Sequence, residues 1–409
     1  AELAPVVALA DLVDVIDATA RTGTDVPVSE AIAIEHPRQA WSVRAFLPGA
    51  LGVEQSWSFD RAALEAARRI EAHEAARDIV DEPLPPAPVE IVDGVRIIEL
   101  AALERALSDP AELLLRDRLG ISLPSEERTA TDHIPFTIEN LDQWRIGDEL
   151  LQVELPLVGD ARTSADARWA QTVRRRGDVA PFEGGDPPIA KARQSAAAAL
   201  SGLATGLGTE APEFRSEPID VVITDADGRP VRIVGSIGQV HGDTVVTVRT
   251  SRIKGKHELV AWLHLALLTT QQPQRQWSAL LVGHARPHQR LRDGGAEVAL
   301  ATAIDLHDRA LRDLVPFLPD TSLALLTDPK AAKVYAKELK YDRWASFLLP
   351  AELADLRSLP VRPDEHGDEW GADPDADRPT RWAHRVWGAQ RSTVDAPEDP
   401  GAVKDDDDD

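Results

Sequence analysis

Between residues 189 and 285 the apolar positions change period several times. Ala190 to Leu203 is Ala-rich and unbroken until Gly206 and Gly208, which predicts a helix ending there. Ile219 to Thr224 is β-branched, residues 225–230 are turn chemistry (Asp-Ala-Asp-Gly-Arg-Pro), and Val231 to Val240 returns to an extended pattern. A second turn at His241, Gly242 and Asp243 leads into a short β-branched strand over Thr244 to Thr250. Glu258 to Thr269 is too continuous, and too rich in Leu, Ala and Trp, for another strand, so it predicts a mostly buried helix. Ser278 to Val282 closes the unit as a buried strand. The order is helix, three-strand meander, helix, strand.

The flanks read less sharply. Val6 to Ala20 places Leu9, Leu12, Val13 and Ile16 on one helical face, and Gly23 ends it. Ala62 to Ile79 is a second helix, and the Pro-rich run over residues 81–88 marks a domain boundary. Val89 to Leu100 alternates around Asp93-Gly94, a two-residue hairpin signal. A helix follows with Ser108 or Asp109 as cap, Pro110 in its first turn and Gly120 at its end. Further helices are expected over Leu141 to Val153, Ser164 to Arg176, Leu300 to Leu314, Pro329 to Leu349 and Arg381 to Gln390, with an acidic loop over Pro363 to Pro379.

The central order is that of a metal-dependent nuclease core. Such cores carry an Asp on the middle strand of the meander and an acid-x-Lys on the next, the carboxylates holding a divalent ion and the Lys helping to position water. Here Gly238 stands where the Asp belongs, and Thr247 and Arg249 stand where the acid and the Lys belong. Neither Gly nor Thr supplies a carboxylate, and Arg stays protonated. Pattern alone fits equally a retired nuclease and an unrelated α/β domain that never held ligands.

Several segments resemble the C-terminal part of the RecC family, the gamma subunits of RecBCD (exonuclease V) helicase-nucleases. Glu35 to Phe46 resembles the family's His-Pro-x-Gln-x-aromatic-Ser segment, departing from it at Arg38, Ala40 and Val43. Leu107 to Gly120, Phe136 to Leu141, Arg176 to Pro181 and Trp262 to Leu265 follow in the family's order. The resemblance implies an α/β C-terminal domain similar to the PD-(D/E)xK nuclease fold, with additional helices and without catalytic residues, preceded by a tail of a helicase-like domain. It thus implies a helicase-like end over residues 1–80 and an inactivated nuclease-like domain over 89–395, on either side of the Pro-rich linker at 81–88; the terminal acid run marks a disordered acidic tail over 396–409. It further implies RecB-like and RecD-like partners and contact with DNA ends or split strands. No cofactor is expected in this chain, with ATP and Mg²⁺ confined to the partner subunits. A strand-splitting pin is implied near the hairpin from Glu90 to Arg96; the plainer reading is an ordinary hairpin at a domain edge.

Composition narrows this picture. At 409 residues, two or more domains with sizeable cores fit. The chain is short for the resembled family and begins without Met, so an N-terminal half is expected to be absent. It has no Cys, which excludes disulfides and Cys-based zinc sites and suits a reducing compartment. With no signal segment and no apolar run near membrane-span length, a cytoplasmic location is expected. A formal charge of −24, from 45 basic against 69 acidic residues, weighs against strong duplex binding by the chain alone. Any DNA contact should sit on local basic segments, of which the best are Arg174, Arg175 and Arg176, and Arg252, Lys254 and Lys256. Short basic runs in acidic chains are more often solvated clusters.

Other constellations carry less. Asp225 and Asp227 form a turn sequence first and a metal motif second. The acids from Asp364 to Asp377 lack the spacing of a calcium loop. His257 and His264 share a helix face with no third ligand, and no Walker-type loop is present. Scattered Trp41, Trp57, Trp144, Trp262, Trp344 and Trp387 suit core or interface anchors better than a stacking platform. The leading function is a non-catalytic subunit that holds motor subunits and guides DNA strands in double-strand-break processing and recombinational repair. The alternatives are a working nuclease with displaced ligands such as Asp220 or Asp225, and an interaction domain with no DNA role.

Overall fold

A computed structural model describes residues 7–23, 26–34, 36–75, 83–123, 138, 140–225, 227–284, 289–292, 295–367, 370–371 and 373–388. The acidic tail and parts of the Glu35 to Phe46, Phe136 to Leu141 and Asp364 to Asp377 segments lie outside these residues. The chain divides into two compact units, Ala1–Glu82 and Pro83–Asp409. In the first unit, helices α1 (Val7–Thr19), α2 (Val28–Ile32) and α3 (Arg61–Ala75) flank a 3₁₀ turn at Val43–Ala45. Leu9, Leu12, Trp41, Trp57 and Phe59 are exposed there.

The second unit opens with the expected hairpin, β1 (Glu90–Val92) and β2 (Val95–Glu99), turned by Asp93 and Gly94 at positive φ. Helix α4 (Leu100–Ser108) follows without a break, and the sequence reading missed it because no side chain caps its start at Glu99. It buries Leu100, Leu103, Ala106 and Leu107. Asp109 then accepts the Glu112 N–H at 2.9 Å and starts α5 (Pro110–Glu112), as its sequence predicted, but the chain continues as a π-helical segment over Leu113–Arg118. Next come α6 (Asn140–Glu154), α7 (Gly159–Arg176) and α8 (Asp186–Leu207), the last ended by Gly208 in the left-handed region. The expected order is then observed: β3 (Arg215–Thr224), β4 (Pro230–His241), β5 (Thr244–Val248), α9 (Gly255–Gln271) and β6 (Ser278–Val282).

An unpredicted strand β7 (Gln289–Arg292) pairs with β6, and α10 (Ala296–Ala310) lies four residues earlier than its pattern suggested. Helix α11 (Pro319–Thr327) was also missed. The single helix expected over 329–349 is two, α12 (Ala331–Tyr341) and α13 (Arg343–Leu348), because the Asp342 carboxylate accepts the Trp344 and Ala345 N–H groups and caps a new helix. Short α14 (Leu353–Arg357) and α15 (Arg378–Trp387) complete the unit.

The strands form one mixed sheet in the order β1-β2-β4-β5-β6-β7, with β3 also paired to β4. Its β5–β6 half is buried on both faces. Val245, Ala279 and Leu281 meet Leu259, Leu263 and Trp262 of α9, while Val246, Val248, Leu280 and Val282 meet Ile146, Leu150, Trp169 and Ile189 of α6 to α8. The β3–β4 half buries Ile219, Val221, Val231 and Ile233 on one face and leaves Val222 exposed on the other. Among the described residues no helix is long and apolar enough to cross a membrane.

Candidate nucleic-acid interface

Strand β4 forks the sheet. One edge carries β3; the other carries β2 in parallel from Val231 to Val234, and β5 only at Val240 and His241. At the fork the register with β3 shifts and Gln239 takes φ +54°, so Gly238 and Gln239 make a bulge that turns the strand from β2 towards β5. A Cβ on Gly238 would meet nothing within 4 Å, whereas one on Gly235 would come 2.7 Å from Leu100, so Gly235 is what lets α4 approach. Thr247, half-buried, lies on β5 opposite Leu281. Arg249 is exposed just beyond the strand, its N–H donating to the Val282 carbonyl at 3.0 Å.

Helix α6 lies against this end of the fork. Asp148 accepts the Thr250 N–H at 2.8 Å and the Thr250 hydroxyl at 2.7 Å, and its other oxygen sits 3.5 Å from the Arg249 guanidinium. Gln239 donates to Gln152 at 3.4 Å, and Trp144 meets the His284 ring at 5.6 Å between centroids. Sequence reasoning missed all of these contacts, since nothing in the α6 pattern says which residues face β5.

The start of α9 supplies positive charge. Lys254 and Lys256 are exposed, and the Lys254 N–H donates to His257 Nδ1 at 3.0 Å. Burial, reinforced by Arg249, Lys256 and Lys254, pushes the His257 imidazole down to about 3, so it is neutral at physiological pH. The Gly255 N–H donates to Asp320 at 2.6 Å, and a Cβ on Gly255 would come 3.0 Å from the Pro319 backbone, so only Gly seats this helix end on α11 without displacement. The structure therefore gathers Arg249, Lys254 and Lys256 near one another, with exposed Arg252 on the intervening loop.

The other candidates fall elsewhere. Arg174 pairs with Asp186, and Arg176 with Glu149 and Asp178, each at 2.7 Å. Arg175 has no ion-pair partner among the described residues. Asp220 is held by Arg232 at 2.6 Å, and Asp225 caps its own turn and pairs with Arg229 at 3.0 Å, at the opposite end of β4 from Gly238. His264 meets Glu104 at 2.5 Å. The Glu90–Arg96 hairpin is knitted into the sheet through β4, and Arg96 is paired with Asp308. Trp262 and Trp387 are core; Trp41 and Trp57 are half-exposed, at 49% and 55%.

The family model described as the RecC C-terminal domain matches residues 96–329. The RecBCD enzyme subunit RecC of Mycobacterium tuberculosis (strain CDC 1551 / Oshkosh) is 30% identical over 282 residues, covering 69% of this chain and 24% of the relative. The protein of the same name from Mycolicibacterium smegmatis is 30% identical over 330 residues, covering 78% of this chain and 28% of the relative. The chain thus spans about a quarter of the length of these relatives.

Proposed function

The chain belongs to the RecC family, and from that premise we propose that it is a non-catalytic part of a RecBCD-type helicase-nuclease that processes DNA double-strand breaks for recombinational repair. In this reading the segment from α8 to β6 is a PD-(D/E)xK-like core that has lost its chemistry and kept its cleft. The observation that carries it is the state of the fork. Gly238 offers no ligand, and the carboxylate near Arg249, Asp148, is already engaged by Thr250 and Arg249. Asp148 is a single carboxylate, and Gly238 and Thr247 add none to it, whereas a divalent ion of this class takes several oxygen ligands. ATP and Mg²⁺ chemistry is assigned to RecB-like and RecD-like partners, and this chain holds those partners and steers split strands. Arg252, Lys254 and Lys256 are the proposed phosphate contacts, which give affinity without reading sequence. Arg174 and Arg176, held by carboxylates, take a structural role instead.

The test is made in the assembled complex. Replacing Arg252, Lys254 and Lys256 with Ala should weaken forked-DNA binding evenly across sequences and flatten its salt dependence by up to about three units of slope. An unchanged slope would remove the loop from the DNA path. The chain alone should not cleave DNA with Mg²⁺, and cleavage abolished by Asp148→Ala, Asp220→Ala or Asp225→Ala would restore the working-nuclease reading.

A further inference from the structure

Arginine and lysine serve different ends in this chain. Among the described residues every ion pair is made by an arginine or a histidine and none by a lysine. The sequence has only eight lysines, and four of them, Lys330, Lys333, Lys337 and Lys340, fall within eleven residues. Spacings of three, four and three put them on one face of α12 and its N-cap, opposite the buried Ala331, Tyr335 and Leu339. All four are exposed, along about 15 Å of helix.

One exposed aromatic ring adjoins this stripe and another stands on the following helix. Tyr341 is 54% exposed with the Lys340 ammonium 5.4 Å from its ring centroid, and Phe347 on α13 is 62% exposed. Of the nearby carboxylates, Asp328 is exposed at the start of the strip, where it accepts the Lys330 N–H at 2.7 Å, and two others are engaged by backbone. Glu338 accepts from the Asp320 and Thr321 N–H groups and the Thr321 hydroxyl, at 2.7 to 3.0 Å, and Asp342 caps α13. In a chain of net charge −24, this is a solvent-facing cationic strip whose lysines make no ion pair among the described residues.

We propose that the α12–α13 face binds the backbone of a single-stranded nucleic acid, with the lysines meeting successive phosphates and Tyr341 and Phe347 stacking on bases. Stacking needs bases with a free face, which a duplex does not offer, and the chain's overall charge opposes the dense phosphate array of a duplex. An acidic peptide would use the cations and leave the two rings without a role. The proposal does not rest on the cleft reading, because it uses none of the residues assigned to the cleft.

The test uses the whole chain and a fluorescent oligothymidylate, followed by anisotropy from low to moderate salt. The Lys330→Gln, Lys333→Gln, Lys337→Gln and Lys340→Gln variant should weaken binding about tenfold or more and reduce the log–log salt slope by about 3, four contacts at about 0.7 each. The Lys333→Gln and Lys337→Gln double variant should give about half that slope change, which covers the case of a misfolded quadruple variant. Tyr341→Ala with Phe347→Ala should weaken binding and leave the slope unchanged. The Arg252, Lys254 and Lys256 replacements should leave the effect of the lysine variants intact, which separates this surface from the cleft. Absence of binding at low salt, or a slope untouched by the lysine variants, overturns the proposal. So does displacement of the probe by polyglutamate combined with indifference to the ring substitutions, which would mark a surface for acidic protein.

Discussion

At the end of α7, Arg174 and Arg176 are held by Asp186, Glu149 and Asp178, whereas at the start of α9 Lys254 and Lys256 make no ion pair among the described residues and press on a neutral His257. The two runs look alike in one dimension. What separates them is the chemistry of the cation and its neighbours: the planar guanidinium groups of Arg174 and Arg176 are tied to carboxylates at the surface, with Arg175 between them unpaired among the described residues, while the compact, strongly hydrated ammonium groups stay in water. Positive charge available to a ligand is therefore found by asking which cations the fold leaves without a partner, not by counting basic residues.

The comparison is most severely tested where arginine is most deeply used. Arg378, 3% exposed, donates to Glu365 at 2.8 Å and to Asp313 at 2.8 Å, and Trp382 Nε1 also donates to Glu365 at 3.0 Å. Glu365 is fully buried, so Arg378→Met should destabilise the chain by about 3–5 kcal/mol, since one charge loses its main partner. Urea denaturation giving a loss below about 1 kcal/mol would mean that arginine burial is incidental to the fold.

A second test concerns the carboxylate behind the lysine strip. Burial, reinforced by Asp320, pushes Glu338 from 4.5 up to about 7. The folded state then holds a proton that the unfolded chain has released, so this contribution is fully present below pH 4.5 and is lost as pH rises through about 7. The loss is roughly 3 kcal/mol at full shift. Glu338→Gln should flatten the fall in stability between pH 5 and pH 7.5 in chemical denaturation, relative to the parent. Curves of equal slope would show that Glu338 is ionised in the fold.

The smallest effect sharpens the contrast. Lys333→Gln should change stability by no more than about 0.5 kcal/mol, and Arg176→Gln should cost about 0.5–1 kcal/mol. Equal losses would erase the division between the two cations at the surface.

Much of the core order was legible because each element from α8 to β6 announces its period and its breakers. Gly208 ends a helix, Asp225 to Pro230 turns the chain, and β5 and β6 are short apolar runs. The missed α4 joins β2 without a cap, so no local signal separates them, and α12 was read through Asp342 because a cap inside a helix-forming stretch looks like any other surface Asp. At the candidate site, Gly238 and Thr247 fall on the successive strands expected from the sequence, whereas Arg249, expected on the second of them, lies just past its end at Val248. The engagement of Asp148 could not, because it depends on how α6 packs against β5, a contact about a hundred residues apart in the chain. Asp109 shows the same limit within one residue. Its capping role was readable, while its rise to about 7 comes from burial and from Asp342, brought close only by the fold.

The separation of arginine from lysine has a chemical consequence. A reagent that acylates amines leaves guanidinium groups untouched, so it would neutralise the charge of the α12 strip and the α9 start while sparing the ion pairs that bind Glu365, Asp313 and Asp148 to their partners. Covalent modification of the native protein, followed by mass spectrometry at each lysine, would thus dissect surface from scaffold without a single mutation.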